Sequence, residues 1–298
     1  MEFSCTTAAE VRGDPLAGTA FATARILLVE QPGPWGPGGL RDSYFDHRIA
    51  QELGARADAA GMRLLAIRRP GRSAMDGPRR WAVLDCAADT RASSWGTYRE
   101  DAELLDVPLD GSAGTTSGDL VYLVCAHSRH DVCCAVRGRP VAAALAEIRP
   151  GQVWECSHVG GHRFAANMLV APLGLLYGRV DADCARDLVL AAERGELVAG
   201  RLRGQVGLAP IAQAALIHAH TELRLRQVDA LRVRMIDAVA EDTSTITLDG
   251  PRATYELAMR AERVPASTGL SCAKPGPDSY LRFEPAGALS VRSRPDCP

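Results

Sequence analysis

The sequence predicts an α/β fold, and three observations carry that reading. Short apolar runs alternate with stretches of helical period through the first two-thirds of the chain. Turn-rich clusters of Gly, Pro and Asp separate them. Of the 298 residues, 47% are apolar, enough for a packed core.

The elements follow in order. Ala24–Glu30 (ARILLVE) is a buried strand closed by the loop QPGPWGPGG. Ser43–Ala60 carries Phe45, Ile49, Leu53 and Ala57 at helical spacing, and Gly61 stands where a C-cap falls. Met62–Ile67 and Trp81–Cys86 read as strands, so strand–helix–strand predicts a parallel pair. Leu120–Cys125 (LVYLVC) is a further strand. Pro140–Ile148 is a helix with Pro in its first turn. Val153–His158 is the next strand, Ala166–Pro172 and Leu175–Val180 form a hairpin, and Asp181–Leu197 is an amphipathic helix capped by Asp181 or Asp183. A boundary is expected near Asp110–Gly118, dividing the chain into units 1–112, 113–204 and 205–298. The last of these is read as helical, through Pro210–Leu225 and Val228–Ala240, with a small hairpin after Thr243 and a mobile Pro- and Ser-rich end.

Bulk properties exclude several function classes. The formal net charge is −2, and no basic stripe interleaves with aromatics, so nucleic acid is not an expected partner. The arginines at Arg68–Arg72 and Arg79–Arg80 read as solvated loops. No signal peptide and no apolar run of membrane-spanning length is evident, so a soluble cytoplasmic protein without a membrane partner is expected. No paired-carboxylate glycosidase motif, GxSxG or GxxxxGK[ST] supports a hydrolase or nucleotide enzyme.

The cysteines point to a site. In a reducing compartment, nine cysteines are first read as buried, catalytic or metal-bound. Cys125, Cys133 and Cys134 fall within ten residues, and Cys156 follows beside His158 and His162. Two glycines between the histidines disfavour a helix and favour a tight loop in which the backbone approaches a bulky ligand. Thiolate with imidazole selects zinc or iron–sulfur over magnesium or calcium. The eight residues between Cys125 and Cys134 suit a two-iron cluster better than the close CxxC pair of a structural zinc site.

The run Cys125-x8-Cys134 followed by SHVGGHRFAANMLV resembles the thioredoxin-like [2Fe–2S] ferredoxins. Within them it is most similar to the sucrase/ferredoxin-like family, which includes fungal actin-patch-distribution proteins. DPLAGTA (Asp14–Ala20), VEQPGPWG (Val29–Gly36) and RRPGR (Arg68–Arg72) extend the resemblance to about Gly204. It implies two thioredoxin-like units, the first without a cluster and the second a ferredoxin. It also implies a [2Fe–2S] cofactor held by Cys125, Cys134, His158 and His162, with Cys133 the alternate to Cys134. The histidine pair occupies the spacing of a Cys-x3-Cys pair in ordinary members.

Exchanging two thiolates for imidazoles makes the site less negative. The potential is expected to lie well above the roughly −400 mV of plant-type centres, and to fall with rising pH where a ligand ring titrates. The expected role is single-electron transfer or redox sensing with an unidentified redox partner protein, rather than an enzymatic reaction. Structural zinc in the same loops, a thiol–disulfide oxidoreductase and a packing-only module are the alternatives, although CxxC is missing and Cys133–Cys134 is vicinal. His127 and His130 read as loop or supporting residues, and Cys156 as close to the cluster but unbound. Cys5, Cys86, Cys184, Cys272 and Cys297 read as isolated and inert. Arg129 and Arg163 are candidates to lie near the cluster, and Trp35 is either core or a partner contact.

Overall fold

The structure, a computed structural model, describes residues 3–71, 77–251 and 253–292. Arg72, Cys297 and the terminal residues 293–298 lie outside the described residues. The elements are α1 (Cys5–Arg12), β1 (Arg25–Glu30), α2 (His47–Ala59), β2 (Met62–Arg68), β3 (Arg79–Asp85), β4 (Ala92–Tyr98) and β5 (Thr115–Ser117). Next come β6 (Val121–Cys125), α3 (Val132–Ile148), β7 (Val153–Cys156), β8 (Met168–Ala171), β9 (Leu175–Tyr177), α4 (Ala182–Glu193) and β10 (Leu202–Gln205). The chain closes with α5 (Pro210–Glu222), β11 (Arg232–Ala238), β12 (Thr243–Asp249), β13 (Thr254–Ala266), β14 (Asp278–Pro285) and β15 (Ser290–Arg292).

Ten strands form one mixed sheet in the order β10-β9-β8-β6-β7-β2-β1-β3-β4-β5. Its two halves repeat one plan. In the first, β1 runs parallel to β2 across α2 and antiparallel to β3, which pairs with β4. In the second, β6 runs parallel to β7 across α3 and antiparallel to β8, which pairs with β9. The halves meet where β2 and β7 pair antiparallel through Ile67↔Cys156 and Arg68↔Glu155, and the Arg68–Glu155 ion pair at 2.8 Å closes that seam.

Alternation along the strands explains the layers. Leu27, Val29 and Ala66 face α2 and its Ala50, Leu53 and Ala57. Tyr122 and Val124 face Val141 and Leu145 of α3 and Leu188 of α4. The opposite face carries one continuous apolar layer across the seam, including Leu28, Ile67, Leu123, Trp154 and Leu169, and it also holds Cys125, Cys134 and Cys156. Trp35 is buried, donating from Nε1 to the Gln31 carbonyl at 2.9 Å with the Arg68 guanidinium over its ring, so it is core.

Two expectations need correction. The helix placed at Pro140–Ile148 begins eight residues earlier, at Val132, because Asp131 caps it by accepting from the Cys133 N–H. Pro140 is tolerated inside the helix one turn after exposed Val136, so it does not mark the start. The C-terminal unit is not a helical extension. Val228–Ala240 is a single 3-10 turn followed by strand β11, and among the described residues of this unit α5 is the one α-helix. β11–β14 build an antiparallel meander with β15 on β13, five strands where a small hairpin was expected. The β-branched run of β12 (TSTITLD) recruits β11 by cross-strand pairing, which local periodicity does not register.

His220, at the end of α5, is buried and donates from Nδ1 to the Leu225 carbonyl at 3.0 Å. Burial pushes its pKa below the ordinary histidine value, more strongly than that hydrogen bond raises it. Below about pH 6.5 the unfolded chain therefore takes up the proton first, and stability is lost as pH falls, by at most about 1.4 kcal/mol per pH unit. The His220→Gln variant should show a smaller drop in urea midpoint between pH 7.5 and pH 5 than the parent chain. Equal drops would remove His220 from the acid response.

Candidate metal centre

β6 ends on Cys125, and period-two alternation turns its side chain into the apolar layer together with Leu123. Six residues later the chain turns into α3, whose first turn carries Cys133 and Cys134. Gly138, one turn further on, lets the helix sit against the strand end, since a Cβ there would lie 2.1 Å from the Cys125 carbonyl oxygen. That contact brings Cys134 to Cys125. The Sγ atoms of both cysteines and a ring nitrogen of His158 all lie within 4.8 Å of one another. Cys134 Sγ is 3.9 Å from His158 Nδ1.

The histidine loop is built on two left-handed glycines, Gly160 at φ +82° and Gly161 at φ +65°. Gly161 is also sterically required, because a Cβ would lie 2.3 Å from Arg203 Nη2. Arg203 is fully buried and donates to the Gly160 carbonyl at 2.9 Å, Asn167 Oδ1 at 2.8 Å, Thr19 Oγ1 at 3.0 Å and the Thr19 carbonyl. Asn167 in turn donates to the Gly161 carbonyl at 3.0 Å. His162 then follows in a short 3-10 turn. The ring of His158 stacks between His130 and His162, with centroids 3.9 and 5.1 Å away, and the three rings bring one nitrogen each within 4.8 Å of one another.

Electrostatics distinguish these groups. Cys125 is held well below the ordinary thiol range by donation from the Cys134 thiol and, against the cost of burial, by the His158 ring and the Val159 N–H. Cys134, sharing that proton in a buried place, is pushed up. Burial lowers His162 and His130, leaving neutral rings with a lone pair to offer. Burial also pushes Arg203 down to about 9, while the negative charge at Cys125 acts to raise it.

The remaining candidates separate clearly. Cys156 lies beside Cys125 in the β6–β7 register, buried and pushed up chiefly by desolvation, outside the converging group. Cys133 faces away from Cys125, toward Cys5 and Cys272 at 3.7 and 3.2 Å. Those two residues are therefore not isolated. Cys184 closes the N-terminal cap of α4 with Asp181, and Cys86 is buried in the apolar layer. His127 is buried with Nε2 at 2.7 Å from the Gly36 carbonyl, and His130 is exposed. Arg129 is exposed, whereas Arg163 pairs with Asp14 at 3.1 Å and stacks on Phe164.

A model of the sucrase/ferredoxin-like family matches residues 17–204, a span that holds the ten-stranded sheet apart from the last residue of β10, together with the Cys125–Cys134–His158 and His130–His158–His162 groups. The chain belongs to the sucrase/ferredoxin-like family. No curated protein and no solved structure matches it. The family span excludes Cys5, α5, the second sheet and Cys272. No described helix is long and apolar enough to cross a membrane.

The donor set fits a thiophilic metal. Cysteine sulfur and imidazole nitrogen are soft to borderline ligands. His162 Nδ1 is buried without a hydrogen-bond partner, a cost that a bound metal would remove.

Sequence reasoning missed Arg203, Asn167 and Asp131. A buried Arg 41 residues after His162 leaves no local signature. Asp131 was legible as a cap residue before an apolar stretch, but Pro140 drew the helix start away from it.

The loop makes a sharp comparison. Gly160→Ala meets open space and should cost only the left-handed penalty of about 1–2 kcal/mol. Gly161→Ala must also displace the Arg203 guanidinium, adding roughly 1–3 kcal/mol. Urea midpoints should rank parent, Gly160→Ala, then Gly161→Ala. The reverse order would show that Arg203 does not fix this turn.

Proposed function

We propose that Cys125, Cys134, His158 and His162 hold a [2Fe–2S] cluster, and that this sucrase/ferredoxin-like protein transfers single electrons or senses redox state. The observation that carries the reading is the place of His158. It lies within 4.8 Å of Cys125 and Cys134 in one group and of His130 and His162 in another, so the cysteine pair and the histidine pair share a member, and this supports reading them as one donor set. When bound, such a cluster supplies a one-electron couple whose potential depends on its ligands and on nearby hydrogen bonds.

The residues around the donors support this role. The Val159 N–H helps to hold the Cys125 thiol pKa down, and such donation stabilises negative charge on a sulfur. Buried Arg203 and half-buried Arg63 are cations whose nearby anions include Cys125, so an electron arriving at the site meets compensating charge. Arg63 also fixes the loop by donating to the His158 carbonyl at 2.8 Å. Exposed His130 stacks on His158, keeping the path from the donors to an approaching redox protein short.

The same strand plan in both sheet halves supports reading each as a thioredoxin-like unit, the second bearing the cluster and the first serving as its docked companion. Eight described cysteines without disulfides accord with a reducing, cytoplasmic setting.

Anaerobic purification followed by iron and acid-labile sulfide analysis tests the reading. The protein should be red-brown, with visible absorption bleached by dithionite. His158→Cys and His162→Cys should each retain a cluster with a shifted spectrum. Cys125→Ser and Cys134→Ser should lose it, and Cys156→Ala should keep the parent spectrum. Colourless protein carrying zinc in these loops would replace the cluster by a structural zinc site. Spectra unchanged by both histidine substitutions would sink the ligand assignment.

A further inference from the structure

A second group of ligands lies on the opposite side of the first turn of α3. Cys5 opens α1, Cys133 is in the first turn of α3, and Cys272 sits in the loop between β13 and β14. Their sulfurs form a triangle with edges of 3.7 Å (Cys5–Cys133), 3.5 Å (Cys5–Cys272) and 3.2 Å (Cys133–Cys272). Both carboxylate oxygens of Asp131 lie 3.7 Å from Cys5 Sγ, and one oxygen lies within 4.8 Å of all three sulfurs. A tetrahedral zinc with bonds of about 2.3 Å to sulfur holds its sulfurs roughly 3.8 Å apart, so a small outward relaxation of this triangle accommodates the ion.

We propose that Cys5, Cys133, Cys272 and Asp131 form a structural site for Zn2+, separate from the donor set of Cys125, Cys134, His158 and His162.

Three features support a cation here. The first is charge. The Asp131 side chain is completely buried, and the only cationic partner within 4 Å among the described residues is His162, at 3.9 Å. A buried carboxylate among thiols needs a positive centre. Second, the carboxylate is already oriented. It accepts from the Cys133 N–H at 3.0 Å, the Cys272 N–H at 2.9 Å and the Ser271 hydroxyl at 3.2 Å, and a carboxylate retains acceptor capacity beyond these three. Third, the sulfurs have outer partners of the kind that support metal ligands. The Cys5 N–H points at Cys272 Sγ at 3.5 Å, and Ser4 Oγ lies 3.6 Å from Cys133 Sγ. Three sulfurs are also one more than a disulfide uses.

Such a site would staple together parts of the chain that are distant in sequence. Cys5 and Cys272 both lie outside residues 17–204, and Cys133 lies inside. The ion would pin α1 and the second sheet to the helix that carries Cys134. Because Thr6 donates to the His162 carbonyl at 3.3 Å, it would also hold α1 over the histidine loop.

The test measures zinc and iron on the full chain expressed with added zinc, for the parent, Cys5→Ser, Cys272→Ser and the control Cys86→Ala. Each of the first two variants should carry one equivalent of zinc fewer than the parent and the control. Zinc content equal to that of the parent in both would overturn the site. Alkylation of the parent chain needs no variant to fold. Added Zn2+ should slow iodoacetamide labelling of Cys5, Cys133 and Cys272 together by tenfold or more, as read by peptide mass spectrometry. Equal labelling rates with and without zinc would overturn the proposal. So would a Cys133–Cys272 disulfide in fresh protein whose reduced form takes up no zinc.

Discussion

The burial of one guanidinium governs the architecture around the donor set. Arg203 sits with 1% of its surface exposed, and no carboxylate pairs with it among the described residues. Removing a charge from water without a counter-ion is expensive, so its surroundings must repay it through hydrogen bonds and nearby negative charge. Thr19, Gly160 and Asn167 supply the acceptors, and Cys125 supplies the charge. Each tie fixes something else. Thr19 is anchored to the edge of the sheet, the two-glycine turn is held closed, and Asn167 grips that turn while its carbonyl accepts from the Cys125 N–H at 3.0 Å. The strand end and the histidine loop therefore share one internal fastener.

How much of this was legible depended on whether the deciding interactions were local. The strands of the large sheet announced themselves through runs such as RILLVE and VYLVC, because strands buried on both faces are apolar at every position. The parallel pair β1–β2 followed from the intervening helix. The glycine turn between His158 and His162 was also visible, since two adjacent glycines fit poorly in any other element. The beginning of α3 was hidden because Pro140 resembles a first-turn proline, and the cap that sets the true start lies nine residues before it. β11 was hidden because its mostly exposed face lacks the apolar alternation of a half-buried strand and it is defined by its neighbour.

Side-chain gatherings followed the same division. Cys125, Cys134 and His158, which gather within 4.8 Å, and His162, which gathers with His158, are close in sequence, so their crowding was visible there. Cys5 and Cys272 stand 128 and 139 residues from Cys133, so neither spacing nor flanking residues mark them as partners. Their association depends on how the second sheet and the N-terminal helix close over α3, a tertiary outcome with no local trace. Asp131 belongs to both sides: it caps α3, orients Cys272 and faces His162.

The vicinal cysteines acquire a meaning that their adjacency alone did not suggest. Neighbouring positions on a helix point about 100° apart. Cys133 and Cys134 thus look in different directions from one rigid turn, each into its own cluster of potential donor side chains. A twist or slide of that turn moves both sulfurs together, so neither ligand group can rearrange through α3 without disturbing the other. The pair behaves as a shared axle, and the chain segments gathered at Cys133 are geared to the environment of Cys134.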